Sequence, residues 1–178
     1  MPVADEESSL QQFYGAIEQH LQLSLPRVAI VKVWPVIGTS IPLPAIFIEL
    51  AEFEPGRDPG TGETGLVCKM EARIVTDPLH ADHHQQAVFL AGRLAVLLRM
   101  QTWGLEIEQA EFVQAMQDWT KPELDSYTVW LVEWTQQIYL GEEEWPWLNQ
   151  PPGSLVWGFV PDTGPGGEGN YLPPEAME

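Results

Sequence analysis

The 178 residues and 20.0 kDa fit one main core, alone or with a tail, and two full-sized domains would be cramped in that length. Apolar residues make up 44% and charged residues 19%, which supplies a real core and argues against wholesale disorder. A count of 8 Lys and Arg against 26 Asp and Glu gives a formal charge of -18, which disfavours plain electrostatic binding to nucleic acid or to an anionic membrane. The last base is Lys121, so the C-terminal third carries acids alone. A single cysteine, Cys68, can neither form an intramolecular disulfide nor anchor a Cys-type zinc site. The start MPVADEESS has acids where a secretory leader needs bases, and no apolar run reaches 18 residues, so synthesis in the cytoplasm without membrane insertion is expected.

Ser9 and Gln12 have capping-box spacing, and Leu10, Phe13, Tyr14, Ile17 and Leu21 follow with helical period, which predicts a helix over 9–22. Pro26 stops it. Val28 to Trp34 is β-branched and reads as a short strand, and the prolines between Pro35 and Pro44 mark a loop. A strand is expected over Ala45 to Phe53 and another over Leu66 to Thr76, where Cys68, Met70, Ala72 and Ile74 point inward and alternate with Lys69, Glu71 and Arg73. The stretch EPGRDPGTGETG between them predicts an exposed, mobile tip on a long hairpin. Asp77-Pro78 opens a core helix carrying Ala87, Leu90, Ala91, Leu94 and Leu98, closed by Trp103-Gly104. Glu106 to Trp119 suits helix or strand, with a lean to strand, and Lys121 to Ser126 is a turn. The run YTVWLVEWTQQIYL is a strand with Trp130, Val132, Trp134 and Ile138 on one face. From 142 onward the chain is rich in Pro, Gly, acid and Trp, which reads as an extended arm seeking a surface.

Chemistry-bearing clusters are few. His80, Asp82, His83 and His84 could offer nitrogen and carboxylate ligands if one helical turn gathered them, but no third strong ligand is evident elsewhere. They read better as the solvated first turn of the core helix, and His20 as an exposed helix residue. The loop GRDPGTGETG lacks the G-K-[ST] ending of a phosphate loop and the helix that must follow it. Cys68 falls on an inward strand position, no G-x-S-x-G occurs, and Glu142 to Glu144 is a solvated acidic run. No catalytic residue, cofactor or metal is therefore expected. Of the eight tryptophans, Trp34, Trp119, Trp130 and Trp134 are assigned to the core or a sheet face. Trp145, Trp147 and Trp157, with Phe159, are assigned to an interface with another subunit or a partner.

The helix LQQFYGAIEQHL, the strand PAIFIELAEFEP and its return LVCKMEARIV, the helix ADHHQQAVFLAGRLAVLLRMQTWG and the strand YTVWLVEWTQQIYLG together resemble the tail terminator, or tail completion, proteins of lambda-like and Mu-like bacteriophages. The resemblance covers about residues 9–141. It implies an α/β (α+β) domain over 1–141, with a mostly antiparallel or mixed sheet of about four to five strands flanked by two helices, followed by the acidic arm 142–178. It also implies a homo-hexameric ring at the head-proximal end of a virion tail, made in the host cytoplasm, that caps the tail tube and ends its polymerisation. The tail tube protein, a neck, head-completion or connector protein and, in a contractile tail, the sheath protein are the implied partners. DNA would pass through without specific binding, and the acidity suits a lumen that repels phosphates. A tail-like bacteriocin could use the same ring. A second reading, from charge alone, is an acidic mimic of nucleic acid that inhibits a DNA-binding protein, and a third is a metal-dependent enzyme built on His80 to His84.

Overall fold

The computed structural model describes residues 6–34 and 40–143. Within them two helices and a five-stranded mixed sheet form an α+β fold. Helix α1 (Glu6–Ser24) begins earlier than its capping pattern indicated, because Glu6 and Glu7 suit the positive end of the helix dipole. It buries Phe13, Ile17 and Leu21. Strand β1 (Ile30–Val33) runs parallel to β2 (Ala45–Pro55), which turns back antiparallel through β3 (Thr64–Thr76). Helix α2 (His83–Leu97), β4 (Glu111–Gln117) and β5 (Thr128–Leu140) complete the order, with β5 between β3 and β4. The sheet order is β1-β2-β3-β5-β4, so β1 and β4 are the edges.

Both helices cover one face of the sheet. Cys68, Met70, Ala72 and Ile74 meet Phe13, Ile17, Leu21, Ala91 and Leu94 there, with Val132, Trp134 and Ile138 beside them. The other face has its own smaller cluster at one end, where Ala45, Phe47, Val75, Leu124 and Val129 pack together. That second cluster corrects the alternation read for β3: Arg73 belongs to the outward set, yet it is only 3% exposed.

Three boundaries also differ. Asp77 does not open α2, because its carboxylate accepts from the Leu79 amide at 2.9 Å and the chain makes further turns before His83. The helix stops at Leu97, well before Trp103-Gly104, and Met100, Trp103 and Gly104 all take positive φ in the irregular stretch that follows. Only Glu111–Gln117 of the 106–119 segment is a strand, since the amide of Ala110 is drawn to the Gln101 carbonyl at 2.8 Å.

The hairpin tip shrinks to residues 56–63, and its base is tied to β5. The Arg57 amide donates to Gln137 Oε1, and Gln137 Nε2 donates back to the Arg57 carbonyl, both at 3.0 Å. Gly65 permits this approach, because a Cβ there would lie 2.1 Å from the Arg57 oxygen.

Candidate functional site

The two sheet edges are finished differently. Along β1, the outward amides of Val31 and Val33 are taken by α1 side chains: Gln22 Oε1 accepts from Val31 at 2.9 Å and Glu18 Oε1 from Val33 at 2.5 Å. Gln22 Nε2 also donates to the Val28 carbonyl, so α1 closes that edge as a neighbouring strand would. Along β4 no strand or side chain covers the outer edge among the described residues. Instead β4 and the residue pair that follows it expose Phe112, Val113, Met116 and Trp119, the last of them 75% exposed. A register shift between Phe112 and Gln114 leaves apolar side chains on both faces of the strand. Trp119 thus departs from its assignment to the core or a sheet face. Asp118 turns inward to Arg73 and the next residue is sent out to solvent.

The segment that carries β4 is held by a buried polar knot. Gln136 is an inward residue of β5 and 1% exposed. Its Oε1 accepts from Trp103 Nε1 at 2.7 Å, and its Nε2 donates to the carbonyls of Gln101 at 3.0 Å and Glu108 at 2.8 Å. Both of its N–H donors are used and its oxygen accepts one bond, so no polar atom of the side chain is left unpartnered, which is how a buried amide is accommodated. His20 is not exposed as expected: it stacks edge-on against Trp103 with centroids 5.4 Å apart and meets the Gln101 side chain at 2.9 Å.

On the face opposite α1 and α2, Arg73 binds three carboxylates: Nε to Asp118 and Nη1 to Glu49, both at 2.8 Å, and Nη2 to Glu71 at 2.5 Å. Lys121 joins Glu49 at 2.9 Å, and the Trp34 ring lies 4.6 Å from the Lys121 ammonium and 5.4 Å from the Arg73 guanidinium. Burial pulls the Asp118 carboxyl upward, but hydrogen bonds from Thr120 and Arg73 outweigh it and hold the pKa below the usual carboxylate range. Burial likewise pulls Arg73 down, and its carboxylate partners reverse that and raise it. Much of the acidity of this face is therefore neutralised internally. Lys69 does the same for Glu52 and Glu54, at 2.9 and 2.7 Å.

The histidine cluster does not assemble as one helical turn. His80 and Asp82 precede α2, while His83 Nδ1 lies 2.6 Å from Thr128 Oγ1 and its ring stacks on His84. Among the described residues no group of three or more His, Cys, Asp or Glu is placed to hold a metal ion. Cys68 is fully buried, as its position in β3 predicted, and burial pushes its thiol pKa up to about 12. No helix of the described residues is long and apolar enough to cross a membrane. Trp145, Trp147, Trp157 and Phe159, the expected interface residues, lie outside the described residues, as does nearly all of the arm. No family model matches the chain, and no curated protein matches it either.

Sequence reasoning missed the exposed apolar edge at β4. Phe112, Val113, Met116 and Trp119 stand at i, i+1, i+4 and i+7, the stripe of a one-faced helix, and it is the register shift between Phe112 and Gln114 that spreads them over both faces of a strand, so their spacing alone pointed to the wrong element.

Proposed function

We propose that this chain is a structural assembly protein of the tail-terminator type. Copies close into a ring, sixfold in the family the sequence resembles, that caps a tail tube and joins it to the neck at the head-proximal end of a virion tail. The supporting observation is the asymmetry of the sheet edges: β1 is closed by Glu18 and Gln22, whereas, among the described residues, nothing pairs with the outer edge of β4, and Phe112, Val113 and Met116 of that strand stand open to solvent with Trp119 just beyond it. Monomeric proteins blunt such edges, so an open apolar one marks a surface that is covered in an assembly. One open edge meeting a different surface of the next copy is a head-to-tail contact, and such contacts generate rings when the rotation closes. The acidic mimic finds no support on this face, where Glu49, Glu71 and Asp118 are bound to Arg73 and Lys121 and are not free to imitate phosphates; the C-terminal acids that motivate it lie mostly outside the described residues.

Negative-stain microscopy of the purified chain, alone and with polymerising tail tubes, tests this reading. Sixfold rings, or tubes that stop growing and acquire a cap, are expected. Single subunits that leave tube growth unchanged would overturn it.

A further inference from the structure

The end of α1 and the first turns of α2 enclose a groove of about 510 Å³. Buried Leu25 and half-buried Leu90 line it, Phe89 stands 71% exposed beside them, and Arg27 and Arg93 are part of the same wall. Neither arginine makes an ion pair among the described residues, in a chain with 26 acids. One carboxylate, Asp82, shares the lining, so the guanidiniums outnumber it. The groove thus joins an exposed aromatic ring to unpaired positive charge, a surface suited to an acidic segment that also carries aromatic rings.

We propose that this groove receives the segment 142–148, EEEWPWL, of a second copy of the chain, which rests on the ring reading above and names one of its contacts. The segment has three acids followed by two tryptophans, and no base follows it anywhere in the chain. Glutamates would face Arg27 and Arg93, and an indole would lie against Phe89 and a guanidinium.

Chain length selects the second copy over the first. The groove opens where β5 starts, since α2 begins with His83 against Thr128, whereas residue 142 follows the far end of β5 at Leu140. Thirteen strand residues span about 40 Å at about 3.3 Å per residue, and Arg93, ten residues into α2, stands about 15 Å back along that length, so about 25 Å separates Leu140 from the level of Arg93 and about 40 Å from the level of Arg27, while seven extended residues reach about 24 Å. Fully stretched, the segment only just attains Arg93 and falls short of Arg27, so it cannot lie along its own groove, and another copy's segment has no such limit.

A fluorescent peptide of residues 141–150, GEEEWPWLNQ, is titrated with the full chain carrying Trp145→Ala and Trp147→Ala, so that its own arms do not compete. Saturable binding that weakens with added salt is expected. Adding Arg27→Glu and Arg93→Glu to the chain, or replacing both peptide tryptophans by alanine, should each weaken it at least tenfold. Arg27→Gln with Arg93→Gln serves if the charge reversals disturb folding, which circular dichroism reports. No binding, or equal binding by the arginine variants, overturns the proposal. Rings without peptide binding would remove this contact and leave the ring reading standing. Peptide binding without rings would keep the contact and remove the ring.

Discussion

Trp119→Ser separates assembly from folding. Trp119 is 75% exposed, so of a tryptophan surface of about 250 Å² some 190 Å² faces water in the free subunit. If a neighbouring copy covers half of that, about 95 Å² at about 25 cal/mol/Å² contributes about 2.4 kcal/mol to each contact, or roughly 50-fold in its dissociation constant. The subunit itself covers only the remaining quarter, about 60 Å², so unfolding should lose at most about 1.5 kcal/mol. Sedimentation velocity over a concentration series reads the first quantity and urea unfolding the second. Leu23→Ser is the control, because Leu23 is likewise 75% exposed but lies on α1, the helix that closes the opposite edge at β1. Equal self-association by wild type and Trp119→Ser, or equal weakening by Leu23→Ser, would refute β4 as the contact surface.

The buried polar groups give further tests. Trp103→Phe removes the donor to Gln136 Oε1 and should cost about 1–3 kcal/mol in urea unfolding, whereas Trp134→Phe removes a buried Nε1 that has no hydrogen-bond partner among the described residues and should cost less. Arg73→Met leaves the Asp118 carboxylate, 2% exposed, without its partner and should cost about 3–5 kcal/mol, with Asp118→Leu in the same chain restoring much of it. Because the folded state depresses the Asp118 pKa, its contribution is complete above the ordinary carboxyl value of about 3.9 and is lost as pH falls through the folded value; acid titration of Asp118→Asn should show a shallower loss below about pH 4. Gly65→Ala drives a methyl into the Arg57 carbonyl and should lower stability by about 1–3 kcal/mol in thermal or urea unfolding.

Periodicity made the sheet and both helices legible where one face is buried and the other wet. In β3 the inward set Cys68, Met70, Ala72 and Ile74 stands as read, but the same alternation sends Arg73 to solvent. Alternation distinguishes two faces without saying whether the second is also covered, and here residues 118–127 fold back over it and set Leu124 against Phe47, Val75 and Val129. Gln136 is illegible for a related reason: an amide in a run of β-formers signals the solvent face, and only the distant carbonyls of Gln101 and Glu108 make its burial possible. The boundaries of α2 failed at Asp77 and Trp103 because turn chemistry at each site competes with capping. The groove by Arg27 and Arg93 joins residues from two helices, a proximity that no local pattern carries.

The closed edge constrains how copies can meet. A ring made by continuing the sheet would pair β4 of one copy with β1 of the next, and that requires the Val31 and Val33 amides to leave Gln22 and Glu18. Exchanging those bonds for strand bonds gains little, since each is worth about 1 kcal/mol net, and α1 stands in the way of an incoming strand. On the ring proposal, a contact at β4 would therefore be made mainly through side chains such as Phe112, Met116 and Trp119, against a surface other than β1. Glu18→Ala with Gln22→Ala would reopen β1 and make both edges available at once. Copies could then add strand to strand in register without closing, so filaments or large aggregates should replace discrete particles in light scattering and microscopy. Discrete particles of unchanged size from that variant, with its fold intact by circular dichroism, would show that α1 does not guard the edge.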